Sequence, residues 1–257
     1  EYKTYSKTRA NLAIPKNELL KLNTLNTPGR EFGLHPSLSG LQSMFNKGNA
    51  AFISNVGTLL EHTNKTAIYD NKAKLPLGLL SHSDQGMSWQ TGIPQSRGNV
   101  GWVGRMGDLI QDMNKSKDIS MNISLSGSNL LETGKEIVEY VLDPTQGSIG
   151  INGYRPDNMY DIVNIAKTKA IDSLLDHQYL DVFQKTYVDV VRNARDGNLL
   201  FQGALENGPE IKTTFSDNDF SKSLNMIART ISVHEQLGFK RQVFYVNFYG
   251  WDHHDEV

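Results

Sequence analysis

Apolar residues follow two kinds of spacing along the chain, and the two kinds alternate. Apolar positions three or four residues apart predict amphipathic helices. The predicted helices span residues 35–48, 81–92, 101–110, 157–195 and 216–238. Runs rich in β-branched and aromatic residues predict strands. The predicted strands span residues 50–57, 119–125, 137–142 and 241–249. Helices that alternate with strands predict an α/β fold.

A chain of 257 residues is long enough for one large domain, and α/β folds of this size commonly have a single core. We therefore predict a single α/β domain over residues 1–257. Its long helical stretch either covers the sheet or forms a helical cap over residues 155–215. The chain opens on Glu1 rather than methionine and stops one residue after a cluster of polar side chains. We therefore expect a fragment of a larger domain, incomplete at both ends.

That cluster, Gly250–Glu256, follows the predicted strand 241–249 and is rich in metal-ligating side chains. Functional residues of open α/β sheets gather at the carboxyl ends of strands. Asp252 offers a hard oxygen ligand and His254 a borderline nitrogen ligand, and in an extended chain the two side chains point the same way. Metal sites normally use three or four protein ligands. A solvated loop rich in acidic and histidine residues is therefore the alternative interpretation.

Two other segments carry candidate chemistry. Ser81 stands at the start of the predicted helix 81–92, where serine is a common N-cap. Arg105, on the predicted helix 101–110, either binds an anionic substrate or pairs within the fold. Trp89 and Trp102 are expected in the core rather than at a substrate.

Composition narrows the range of partners. The 26 basic and 28 acidic residues leave a formal charge of -2 without runs of like charge, which argues against nucleic acid and anionic membranes as partners. The chain has no cysteine, so disulfides, thiolate catalysis and zinc-thiolate sites are excluded. No apolar run approaches the roughly 18 to 20 residues of a membrane span.

Four separated motifs together resemble the bacterial "domain of unknown function 1501" family. The motifs are Phe32–Leu38, Ser81–Gly92, Gly101–Arg105 and Gly250–His254. That family is similar to the alkaline-phosphatase-like superfamily of phosphatases, sulfatases and phosphomutases. The resemblance implies a three-layer sandwich with a mostly parallel sheet. It also implies a metal-dependent hydrolase of phosphate or sulfate esters.

The resemblance also implies roles for individual residues. Ser81 corresponds to a nucleophile at a helix amino terminus, with His82 beside it and Ser83 as the second choice. Asp252 and His254 correspond to ligands of a divalent metal ion, which is Zn, Mn, Mg or Ca, and Arg105 to a substrate-binding group. The family's first metal-binding Asp would precede residue 1, and its Asp-His-Gly motif would follow residue 257.

The implied substrate is a small-molecule or carbohydrate phosphate or sulfate ester. Relatives with this pattern often carry export signals, which implies a periplasmic or secreted protein. Two alternatives remain open at this point: a non-catalytic exported binding protein on the same fold, and a phosphomutase.

Overall fold

The structure is a computed structural model that describes residues 1–25, 27–54 and 56–250. The chain divides into two compact units. Glu1–Gly57 forms the body of the first unit, and Thr58–Tyr249 forms the second.

Along its described residues, the first unit contains two α-helices and a small antiparallel pair of strands. These are α1 (Tyr2–Arg9), β1 (Leu20–Lys21), β2 (Gly33–Leu34) and α2 (Ser39–Asn46). A 3₁₀ turn at Pro36–Leu38 precedes α2, which confirms the helix predicted over residues 35–48. The strand predicted over residues 50–57 is wrong, because its described residues form no strand and Ile53 is 85% exposed. A short apolar run forms a strand only where a neighbouring strand pairs with it.

The second unit contains six helices along its described residues. These are α3 (Lys65–Tyr69), α4 (His82–Thr91), α5 (Trp102–Ile110), α6 (Ile162–Asp176), α7 (Val182–Glu206) and α8 (Asp219–Ser232). Helices α4 and α5 match their predictions. In the part of the chain that the structure describes, no helix is long and apolar enough to cross a membrane.

The helical stretch predicted over residues 157–195 is instead two helices. Asp181 is the N-cap of α7, because its carboxylate accepts hydrogen bonds from the amides of Phe183 at 3.0 Å and Gln184 at 2.9 Å. Helix α7 then runs on to Glu206, into residues predicted as a loop. Helix α8 begins at Asp219 rather than at Ser216, since the Asn218 side chain is its N-cap.

A parallel sheet of three strands lies at the centre of the second unit. The strand β3 (Asn122–Ser124) pairs on one side with β4 (Tyr140–Val141) and on the other with β5 (Val243–Tyr245). All three strands fall inside predicted ones and are shorter than predicted. The α/β class is therefore confirmed in a coarse form, as mixed helix and sheet with a small parallel sheet.

Helices approach β3 from both faces. On one face, Ile119, Met121 and Ile123 join a buried cluster that includes Phe201 of α7. On the other, Asn122 lies against α5, where the absence of a side chain at Gly107 lets the helix come close. A parallel strand is normally buried on both faces. Both faces of β3 are thus packed against helices.

Candidate functional site

The carboxyl ends of β3, β4 and β5 meet at one edge of the sheet, since all three strands are parallel. A cleft of about 570 Å³ opens there. Its walls include Ser126 after β3, Asp143 after β4, Asn247 after β5 and the first turn of α8. Ligands of open α/β sheets bind in a crevice outside the carboxyl ends of the strands. This cleft is therefore the candidate site.

Hydrogen bonds between the strand ends hold the cleft in shape. The Ser126 hydroxyl oxygen accepts from the backbone amide of Asn247 at 2.8 Å, which ties the end of β3 to the end of β5. After β4, the Asp143 carboxylate accepts from the amides of Thr145 at 2.8 Å and Gln146 at 2.7 Å. Both polar side chains are therefore fixed by backbone groups rather than by other side chains.

The strand β5 leads toward the predicted metal ligands. Tyr249 lines the cleft and stands three residues before Asp252 in the sequence. Asp252 and His254 themselves lie outside the described residues. Within residues 1–25, 27–54 and 56–250, no three acidic or histidine side chains are grouped closely enough to hold a metal ion. The described part of the cleft offers hard oxygen donors, Asp143 and Asp219, but not a complete ligand set.

Ser81 is the N-cap of α4, which is the structural role that the sequence predicted for it. Its hydroxyl oxygen accepts from the amide of Asp84 at 3.4 Å and lies 3.2 Å from the hydroxyl oxygen of Ser83. His82 is the first residue of α4, and its side chain is exposed. The helix amino terminus thus brings two hydroxyls together at the surface of the second unit, next to His82 in the sequence.

An ion pair lies beside this cap. The Asp84 carboxylate accepts from the Arg97 guanidinium at 2.9 Å and 3.4 Å. The hydrogen bond from Arg97 and that from Ser81 hold the pKa of Asp84 below its usual range. A side chain at Gly78 would collide with this carboxylate, so Gly78 is needed for the close approach. The positive end of the α4 dipole therefore already faces one negative charge.

Arg105 is engaged within the fold. Its guanidinium donates to the carbonyl oxygens of Thr91 at 2.8 Å and Val100 at 3.1 Å. Thr91 is the last residue of α4, ten residues beyond Ser81. With a rise of about 1.5 Å per residue, these two groups lie roughly 15 Å apart along the helix. The structure therefore does not bring Arg105 to the Ser81 hydroxyl.

The two tryptophans on these helices are exposed rather than buried. Trp89 is 52% exposed and Trp102 is 47% exposed, so their predicted place in the core is wrong. For Trp102 the reason lies in α5, which buries the face that carries Val103, Gly104 and Gly107. A side chain at Gly101 or Gly104 would overlap the backbone of residues 130–133.

Glu132 is a candidate functional residue that the sequence reasoning missed. Its side chain is fully buried, in the loop that follows β3. One carboxylate oxygen accepts from the Asn129 amide at 2.8 Å, and the other has no hydrogen-bond partner among the described residues. Burial is the main cause that raises the pKa of Glu132 to about 7, with the charge of Glu139 adding to it. In the sequence, the only sign of this residue is the spacing Asn129-x-x-Glu132 soon after the predicted strand 119–125.

A carboxyl group with such a pKa exchanges its proton near neutral pH, which general acids and bases require. Glu132 does not line the cleft, so the structure shows a cleft with fixed polar side chains at the sheet edge and, separately, one buried carboxyl group. Comparisons with protein-family models, with curated proteins and with solved structures found no match to this chain.

Proposed function

We propose that this protein is a metal-dependent hydrolase of phosphate or sulfate esters, built on an alkaline-phosphatase-like three-layer α/β fold. One observation carries the proposal. The strand that precedes the Asp252-x-His254 motif in the sequence ends at an open cleft, beside the carboxyl end of β3, the strand with which it pairs. This is the place at which α/β enzymes bind their ligands.

Asp252 and His254 are the proposed metal ligands, through a carboxylate oxygen and an imidazole nitrogen. A bound divalent ion, Zn, Mn, Mg or Ca, would lower the pKa of a nearby hydroxyl and offset charge on the ester oxygens. Within the described residues, Asp143 and Asp219 add negative charge at the cleft, which favours a cation there. That charge would also repel an anionic ester in the absence of an ion.

Ser81 is the proposed nucleophile. Its hydroxyl stands at the amino terminus of a ten-residue helix, beside the ion pair of Asp84 and Arg97. In the proposed step, the Ser81 hydroxyl oxygen bonds to phosphorus or sulfur, the ester oxygen leaves, and water later releases the phosphate or sulfate. His82, exposed beside it, offers an imidazole that can take the hydroxyl proton.

A second function is favoured by a specific observation. Ser81 already serves as a helix cap, and Arg105 already donates to two backbone carbonyls. Both residues thus have structural roles that need no catalysis. A non-catalytic binding protein on the same fold is consistent with these contacts.

Substitution of Ser81 separates these two functions. Ser81→Asn keeps a good N-cap but removes the hydroxyl, whereas Ser81→Ala removes both. With p-nitrophenyl phosphate and p-nitrophenyl sulfate as substrates, we expect both variants to lose activity by at least about 100-fold. Only Ser81→Ala should also lose stability, by about 1 kcal/mol in urea unfolding. Full activity in Ser81→Asn would exclude Ser81 as the nucleophile.

A further inference from the structure

Aromatic rings form one part of the cleft at the sheet edge. Phe220, from the first turn of α8, and Phe248, just after β5, have ring centroids 5.2 Å apart and planes tilted by 49°. Both rings line the cleft, and Phe220 is 39% exposed. An exposed aromatic face offers apolar surface to the C–H groups of a ring-shaped ligand.

Polar side chains with spare hydrogen-bonding capacity form another part. Among the described residues, the Asp219 carboxylate and the Asn247 side-chain amide form no hydrogen bond, although the Asp219 charge acts on Lys222, and both line the cleft. The Ser126 oxygen accepts from the Asn247 backbone amide, so the proton of its hydroxyl can still be donated. A ligand that carries several hydroxyl groups could satisfy these donors and acceptors at once.

The charges that line the cleft disfavour an anion by itself. Asp143 and Asp219 are acidic, and Lys222 is already paired with Asp217 at 2.9 Å. An isolated phosphate or sulfate group would therefore meet net negative charge. A neutral part of the substrate fits this wall better. The volume of about 570 Å³ lies in the usual range for small-molecule sites.

We propose that this cleft binds the neutral sugar ring of a sugar phosphate or sugar sulfate. The C–H face of the sugar packs on Phe220, and its hydroxyl groups bond to Asp219, Asn247 and Ser126. As an assignment of substrate class, this inference rests on the proposed hydrolase function, but sugar binding itself needs neither a metal ion nor catalysis.

Saturation-transfer NMR of the protein in chelator-containing buffer tests the inference. The probes are the methyl glycosides of glucose, galactose, mannose, fucose and xylose, with tetramethylammonium as a cationic competitor for the rings. We expect at least one glycoside to bind, and Phe220→Ala to weaken its binding about tenfold. The matched control is Phe183→Ala, because Phe183 is an 81% exposed phenylalanine on α7 that does not line the cleft.

Three results would overturn the inference: no binding of any glycoside, equal binding by Phe220→Ala, or Phe220-dependent binding of tetramethylammonium alone. Asn247→Ala provides a second variant if Phe220→Ala does not fold, as judged by circular dichroism. Hydrolysis of the p-nitrophenyl esters without glycoside binding would reject the sugar site and keep the proposed function. Glycoside binding without hydrolysis would keep the sugar site and reject the proposed function.

Discussion

Replacing Glu132 with glutamine should make the protein more stable at high pH and leave it almost unchanged at low pH. The side chain is fully buried, and only one of its two oxygens has a hydrogen-bond partner among the described residues. Glutamine keeps the size of the side chain and an oxygen that can accept from Asn129. It removes the negative charge and replaces the second carboxylate oxygen by an amide NH₂ group.

The size of the effect follows from the shift in protonation. The pKa of Glu132 rises from 4.5 to about 7 on folding, mainly because of burial. Between these values the folded protein holds a proton that the unfolded chain has lost, so the free energy of unfolding falls as the pH rises. The slope is about 1.4 kcal/mol per pH unit, and the full loss above the folded pKa is about 3 kcal/mol.

Urea unfolding of the wild type and of Glu132→Gln at pH 4.5, 6, 7 and 8.5 measures the loss of stability with pH. We expect the free energies of unfolding to differ by less than about 1 kcal/mol at pH 4.5, and Glu132→Gln to be more stable by about 3 kcal/mol at pH 8.5. Glu210→Gln, at an exposed glutamate, is the control and should follow the wild-type curve. A difference between Glu132→Gln and wild type that does not change with pH would refute the reasoning.

The remaining predictions concern the contacts of α5 and α7. Arg105→Lys should lower the free energy of unfolding by about 1.5 to 3 kcal/mol, because lysine cannot reproduce the two bonds to Thr91 and Val100; unchanged urea unfolding would contradict this. Gly104→Ala should destabilise by about 3 kcal/mol or more, since its methyl group would overlap the Thr133 carbonyl. Gly203→Ala should raise the free energy of unfolding by about 0.5 to 1 kcal/mol, because the space around Gly203 is open. Thermal melts in which the melting temperatures of both glycine variants move in the same direction would contradict these two predictions.

The sequence predicted those parts of the second unit that local pattern determines. Strong apolar runs located β3 and β5, and the serine before an apolar helix located the cap of α4. The parallel direction of the strands was expected only from the family resemblance, although a helix between two strands permits such pairing. The place of the cleft could therefore be predicted from the end of the strand 241–249 alone.

Features that depend on distant contacts could not be predicted. The apolar run at 50–57 has strand composition but forms no strand, and nothing within the run reveals this. Trp102 is large and apolar, yet the opposite face of α5, with Gly104 and Gly107, takes the buried position. Burial of Glu132 results from residues packed around it, which a single sequence does not show. The aromatic wall likewise brings Phe220 and Phe248 together from separate elements.

Hydrolysis of p-nitrophenyl phosphate and p-nitrophenyl sulfate before and after chelation tests the central claim most directly. We predict that a chelator abolishes hydrolysis and that Zn²⁺, Mn²⁺, Mg²⁺ or Ca²⁺ restores it. Asp252→Ala and His254→Ala should prevent restoration, while His253→Ala should not, because in an extended chain residue 253 points the opposite way. Hydrolysis that survives chelation, or no hydrolysis with any of the four ions, would contradict the account.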